Sequence, residues 1–337
     1  MKKYSILHKI LFFINSVFAA LLLLSYALPF ISPKTIPILS VLSLFVPLLM
    51  IVNGCFFVYW LIKLHKNILV SLLVLVIGWF TTSPLIKFSN KEVILNNDLK
   101  VMSYNVRLFN HYRHEEEITT EQKIYEFINN EDPDVIAIQE FYNSELLDIR
   151  LPHKYIKTKS DKDKFGLAIY SKHPIVNTGS LNFEHSANNT IFADIAVNTD
   201  TIRVYNVHLE SLKINPKKEN FGEKNSERLL KRLENGFVKQ VDQVELILQH
   251  EYAWKNKKII CGDFNNTAYS WAYKQLADDK KDAFIECGIG LGKSFRYIYP
   301  VRIDFMLTDT EATINQFKTY SDIEFSDHYP IMTRLHW

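Results

Sequence analysis

The sequence predicts a two-sheet α/β sandwich covered by helices and preceded by three membrane-spanning helices. Three observations predict it: long uncharged runs confined to the first 90 residues, short strand-like runs recurring through the rest, and a few one-faced helices between those runs.

The front comes first. Uncharged runs extend over Ile10–Pro33, Thr35–Ile62 and Asn67–Ile86, which are 24, 28 and 20 residues long. At about 1.5 Å per helical residue each can cross a hydrocarbon core of about 30 Å. Spans are therefore expected at about 10–31, 36–62 and 67–86. Residues 1–90 hold seven lysines, no arginine and no acid, and the other 32 basic residues face 37 acids, a net charge of −5 for the body.

Orientation follows from the lysines. Lys2, Lys3 and Lys9 precede the first span and Lys63 and Lys66 lie between the second and third, whereas the intervening turn has only Lys34. The positive-inside bias then puts the N-terminus in the cytoplasm and, after three crossings, the body on the extracytoplasmic side of a cytoplasmic (inner) membrane as part of a multi-pass protein. Cleavage of the first segment as a signal peptide would leave the last two spans to return the chain to the same face.

After a polar linker at 91–97, the body runs over 98–337. Its apolar runs are "KVMSYNV", "DVIAIQE", "GLAIYS", "IFADIAV", "TIRVYNVHL", "KKIICGDF", "RIDFMLT" and "YPIMTRL". The clearest helix spans about Glu227–His250, where Leu230, Leu233, Phe237, Val241, Val244 and Leu248 make one apolar stripe. Shorter helices are expected after Ile118 and Ser270. The three cysteines, Cys55, Cys261 and Cys287, form no spaced framework for disulfides or zinc, and a Cys261–Cys287 bridge is left open.

Several runs end in polar groups that a core would exclude: Asn105, Gln139 and Glu140, His208 and Glu210, Asp263 and Asn265, Asp304, and Asp327 with His328. Any one has an ordinary explanation as a turn, a solvated acid or a satisfied core histidine. Six such endings in one domain point to a shared rim.

The ordered set "YNV", "QE", "NVHLES", "GDFN", "RIDFML" and "SDHYPI" resembles the endonuclease/exonuclease/phosphatase superfamily over about residues 98–337. That resemblance implies a four-layer α/β sandwich and cleavage of a phosphoester by water with a divalent cation, Mg²⁺ or alternatively Mn²⁺. It implies Glu140 as main metal ligand with Asn105 beside it and Asp327 nearby. Asp263 would orient or deprotonate the water, Asn265 would donate to the phosphate or the water, and Asp304 would pair with His328, which acts as base or phosphate clamp. His208 would protonate the leaving oxygen or stabilise phosphate charge. Arg302 shares Asp304's side of the strand and would reach substrate, with a structural salt bridge the equal alternative.

A membrane-anchored phosphodiesterase or endonuclease is thus expected, acting on nucleic acid, a phospholipid head group or a small phosphodiester, with membrane lipid as neighbour and no protein partner implied. A degenerate member serving as a surface scaffold is the alternative, and loss of a metal ligand would favour it. An acidic body lacks the basic face usual for duplex binding. The most basic segment, 213–232, would border the site or form a solvated helix entrance, and the aromatic segment "FRYIYP" at 295–300 would stack a base, dip into an interface or pack in the core.

Overall fold

The computed structural model describes residues 6–88, 92–111, 120–146, 148–160, 162–214 and 223–337. Twelve strands among them form two six-stranded sheets. The strands are β1 (Leu99–Asn105), β2 (Val135–Tyr142), β3 (His153–Thr158), β4 (Phe165–Ser171), β5 (Ile175–Ser180), β6 (Thr190–Val197), β7 (Asp200–His208), β8 (Lys258–Asp263), β9 (Lys280–Asp282), β10 (Asp304–Asp309), β11 (Thr313–Thr319) and β12 (Ile331–His336). The first sheet has the order β11-β12-β1-β2-β4-β3 and the second β5-β6-β7-β8-β10-β9. In each sheet the central pair is parallel, β1 with β2 and β7 with β8, and the other pairings are antiparallel.

Strand alternation builds the layers. Val101, Val135, Ala193, Val204, Ile259 and Met306 pack between the sheets. Their alternating neighbours Met102, Tyr104, Ile136 and Ile138 face the helix Thr120–Glu131 through Ile124 and Ile128. On the second sheet Tyr205, Val207, Ile260, Phe305 and Leu307 face the helices Glu223–Tyr252 and Trp271–Ala277. Two sheets flanked by helices result. The long helix buries Leu233, Phe237, Val241 and Val244 as its stripe predicts, and adds Ile247. Ser270 caps the helix after it by accepting from the Tyr273 N–H. None of Cys55, Cys261 and Cys287 is in a disulfide, so the Cys261–Cys287 bridge is not formed.

The front differs from the expectation in one respect. Two segments, Ile6–Phe30 and Pro37–Ile62, are long and apolar enough to cross a membrane, whereas the third run forms only the 14-residue helix Ile68–Thr81. At about 1.5 Å per residue that is about 21 Å, short of a hydrocarbon core. It stops because Ser83 precedes Pro84, whose ring disfavours helical geometry in the residue before it. The three helices are tied by Asn15 Nδ2 to Ser71 Oγ at 2.9 Å and Trp60 Nε1 to Asn15 Oδ1 at 2.7 Å. Lys2 and Lys3, and residues 215–222 of the basic segment, lie outside the described residues.

The front is docked on the body. Lys34 pairs with Asp242 and Glu245, each at 2.8 Å, Thr267 Oγ1 donates to the Ser43 carbonyl at 2.9 Å, and Tyr299 donates to the Leu44 carbonyl at 3.0 Å. On the other side of the hairpin, Lys87 and Gly290 exchange backbone hydrogen bonds.

Candidate active site

Parity along the strands explains which polar residues meet. Counting in twos from the inter-sheet residues Val101, Ala137, Val204, Cys261 and Met306 leads to Asn105, Gln139, Asn206 and His208, Asp263, and Asp304. All of them project between the sheets at the same end. Glu140 falls on the wrong parity, and a register shift between Ile138 and Phe141, with φ of 48° at Glu140, turns it toward the others. Gly262 has φ of 136°, and a Cβ there would lie 2.0 Å from the Val207 carbonyl oxygen, so only glycine can precede Asp263.

The convergence is tight. Asn105 Nδ2 donates to Asp263 Oδ2 at 3.0 Å and to Glu140 Oε1 at 3.3 Å. His208 Nε2 lies 3.6 Å from Asp263 Oδ2 and 3.9 Å from Glu140 Oε1, buried and without a hydrogen-bond partner. His328 Nε2 is 3.7 Å from Asp263 Oδ2, while its Nδ1 is 2.9 Å from Asp304 Oδ2.

Electrostatics follows from burial and charge. Desolvation raises Glu140, with Asp327 adding to the rise against His328 and Asn105. Asp263 is pushed up to about 7 by burial, reinforced by Asp304 and Glu140. Burial disfavours the His328 imidazolium, but the Asp304 and Asp263 carboxylates outweigh it and push His328 up to about 10. Burial and the charge on His328 push His208 down to about 3.

Four other polar residues make contacts outside this cluster. Asn265 lies beyond the end of β8 with φ of 50°, and its Nδ2 donates to the Leu209 carbonyl at 2.9 Å rather than standing free beside Asp263. Phe264 between them is in the core. Asp327 is half-exposed and pairs with Arg107 Nε at 3.3 Å. Arg302 is buried against Asp282 at 2.6 Å, over the rings of Phe284 and Phe305, in the salt-bridge alternative. Glu210 turns to Lys239 at 3.1 Å.

Other contributors were not singled out as site residues from sequence. Gln139 Nε2 donates to Asn206 Oδ1 at 2.7 Å, and Asn206 Nδ2 donates to the carbonyls of Ile138 and Ala168, both at 2.9 Å. This polar bridge joins the sheets directly beneath the site. Ser326 Oγ donates to the Asn105 carbonyl at 2.8 Å and accepts from the His328 N–H at 3.3 Å, linking two site loops. The signal for Gln139 and Asn206 was their inward parity.

Asp263, Asp304 and His328 have ligand atoms within 4.8 Å of one another, a spacing a cation could use. His328 is committed to Asp304, however, and an imidazolium offers no lone pair, so we read this trio as a buried charge cluster in which His328 hydrogen-bonds Asp304 and faces Asp263.

Two sheets flanked by helices, with buried polar side chains converging at one end between them, define an α/β sandwich with a candidate active-site mouth. The chain belongs to the endonuclease/exonuclease/phosphatase family, whose model matches residues 102–328. Residues 8–85 match a second model described only as a domain of unknown function, DUF8431. Among solved structures, a mannosyl-6-phosphatase of Bacteroides thetaiotaomicron is 18% identical with a TM-score of 0.54, covering 71% of this chain and 100% of that one. TDP2 of D. rerio in complex with a single-strand DNA product is 16% identical with a TM-score of 0.53, covering 72% and 100%. An endonuclease/exonuclease/phosphatase protein of Bacteroides vulgatus is 16% identical with a TM-score of 0.51, covering 72% and 99%. No curated protein sequence matches.

Proposed function

We propose that the chain is a membrane-anchored hydrolase of phosphoester bonds that uses a divalent cation, with water attacking phosphorus in line. The observation that carries this reading is the meeting of Asn105, Glu140, His208, Asp263, Asp304 and His328 in one inter-sheet mouth. A scaffold that had lost catalysis would have no use for that arrangement.

The donor set fits the ion. Glu140 and Asp263 are both raised by burial with like charges adding to it, a surplus of negative charge that a divalent cation relieves. Oxygen donors suit Mg²⁺, or alternatively Mn²⁺: the Glu140 carboxylate offers them directly, whereas Asn105, whose Nδ2 faces Glu140 and Asp263 while its Oδ1 accepts from the Arg107 N–H at 3.1 Å, would offer its oxygen on turning its amide. Glu140 and Asn105 would hold the ion, with Asp327 available from the outer side. When bound, it supplies positive charge to the phosphoryl oxygens.

The remaining steps belong to the chain's own groups. Asp263, fixed by Asn105 and by the Asn265 N–H at 2.7 Å, orients the attacking water and takes its proton. His328, charged at neutral pH and aligned by Asp304, binds a phosphoryl oxygen. His208 is neutral there, so its unpartnered Nε2 serves as a hydrogen-bonding group toward phosphate rather than as a proton source.

Anchorage is supported by the front's surface. Phe13, Leu23, Val58, Leu73, Trp79 and Phe80 are all exposed on its helices, an apolar surface that water tolerates poorly. The turn between the first two helices packs on the body, so the two share one side of the bilayer, which is the arrangement the lysines favour.

The test is hydrolysis of bis(p-nitrophenyl) phosphate by the full chain in phosphatidylcholine nanodiscs. Turnover with Mg²⁺ that EDTA abolishes and added Mg²⁺ restores is expected. No turnover, or turnover indifferent to EDTA, overturns the reading.

A further inference from the structure

The contacts between front and body do not fall at random on the body. Besides those of Lys34 with the long helix and of Lys87 with Gly290, they fall on the loops that carry the site. Thr267, which holds the Ser43 carbonyl, is two residues beyond Asn265, and its neighbour Asn266 lies 3.4 Å from Ser43 Oγ. Arg302, two residues before Asp304, donates to Ser83 Oγ at 3.1 Å. Ser43 and Leu44 lie three and two residues before the helix Val46–Ile62, in the 3₁₀ turn Leu42–Phe45 of the apolar segment Pro37–Ile62, and Ser83 follows Thr81 by two residues. The catalytic loops are therefore seated on the ends of the apolar helices, where a bilayer would give way to water.

A second, independent observation concerns what lies between. The segment 295–300 is pinned at one end by the Tyr299 hydroxyl on the Leu44 carbonyl and at the other by Phe295, whose ring is 4.8 Å from that of His328. Tyr297 joins the two, 5.1 Å from Tyr299 and 6.2 Å from Phe295. A continuous row of aromatic rings thus runs from the end of a membrane helix to the catalytic histidine. At its turn stands Ile298, 85% exposed, the most exposed large apolar side chain of the body among the described residues. An aromatic row is a costly way to line a path for a small hydrophilic ester, but it matches a molecule with an apolar part and a phosphate at its end.

We infer that the substrate is a phosphoester borne on a lipid of the bilayer in which the protein sits. This rests on the phosphoesterase reading above and narrows it to one substrate class. Ile298 and the aromatic row meet the apolar part of the lipid, and the head-group phosphorus comes to His328 and Asp263. Asp263 takes a proton from the water as its oxygen adds to that phosphorus, the phosphorus–oxygen bond to the leaving alcohol breaks, and the alkoxide takes a proton from solvent while Asp263 releases its own to solvent. One water is consumed and an alcohol and a phosphate ester remain. A nucleic acid is the less favoured class, because the body carries a net charge of −5 and long polyanions would be repelled from it and from an anionic membrane surface.

The experiment uses the full chain in phosphatidylcholine nanodiscs carrying, in turn, phosphatidylethanolamine, phosphatidylglycerol, cardiolipin or phosphatidic acid. Each is compared with its deacylated water-soluble counterpart, a single-stranded oligonucleotide and bis(p-nitrophenyl) phosphate. At least one disc lipid should be cleaved with kcat/KM about tenfold or more above its deacylated counterpart. Ile298→Asp should lower kcat/KM for that lipid more than for the soluble diester, and Ile298→Leu should restore it. Cleavage of the soluble diester with none of the lipids cleaved, preference for the oligonucleotide, or equal loss on lipid and diester in Ile298→Asp overturns the lipid assignment and leaves the phosphoesterase intact. Failure to cleave even the diester overturns both.

Discussion

His328 Nδ1 lies 2.9 Å from Asp304 Oδ2, both side chains buried, one on the loop before β12 and the other at the first residue of β10. The pair links the two sheets. An unpartnered carboxylate in the apolar run "IDFML" would be costly, and the imidazole is what makes it tolerable. The same contact fixes the tautomer and charge of the imidazole that faces Asp263.

Because the two act as one unit, Asp304→Asn should reduce phosphoester turnover by about 10²–10⁴-fold, and His328→Ala should do about the same. The double variant should be scarcely slower than either single one. Steady-state kinetics of the three variants checks this, and losses that multiply in the double variant would show that the residues work independently.

The raised His328 also makes a statement about stability. Its value moves from 6.5 to about 10 on folding, so its contribution is fully present below pH 6.5 and is lost as pH rises through 10. In EDTA, the Tm deficit of His328→Gln relative to the parent should therefore be largest at mildly acidic to neutral pH and should shrink toward pH 10. A deficit that grows over that range would mean the imidazolium is not stabilised by Asp304 and Asp263.

Thr267 tests the seat of the front. Thr267→Val keeps the shape but leaves the buried Ser43 carbonyl without its donor, at a cost of about 1–3 kcal/mol. The melting temperature in detergent should fall by several degrees, and Thr267→Ser should recover most of it. Equal melting temperatures for the valine variant and the parent would show that this contact does not hold the two parts together.

Topology is open to protease. If the front spans the membrane as proposed, with the turn at Lys34 and the body on its outer side, protease added outside the cytoplasmic membrane of spheroplasts should digest the body without lysis. Protection until the membrane is broken would reject the orientation.

The central strands were legible because they are buried on both faces: β1, β2, β4, β6, β7, β8, β10 and β12 all fall on the apolar runs. The four that sequence reading missed, β3, β5, β9 and β11, are the four sheet edges. Segments such as "HKYIKT", "IVNTGS" and "TINQFKT" are largely polar and partly exposed, so little alternation marks them. The rim was legible because strand parity carries Asn105, His208, Asp263 and Asp304 to one place. Glu140 was placed by its motif, since its parity is wrong and only the backbone bulge corrects it. Strand alternation does not place Asn265, because the strand stops at Asp263 and the chain turns left-handed beyond it. Arg302 was on the expected side of its strand, but Asp282, from the neighbouring β9, could be found only in three dimensions.

Glu140→Gln offers the most direct trial of the metal-dependent phosphoesterase account. It keeps the size of the side chain and removes the charge beside Asn105 and Asp263 that would hold the ion. The measurement is Mg²⁺ or Mn²⁺ binding by calorimetry together with bis(p-nitrophenyl) phosphate hydrolysis, both on the full chain in nanodiscs. The account predicts metal affinity weakened by about tenfold or more and turnover lowered by orders of magnitude, with the melting temperature in EDTA no lower than the parent's. A variant that binds the ion as tightly as the parent and turns over with unchanged metal dependence would contradict it.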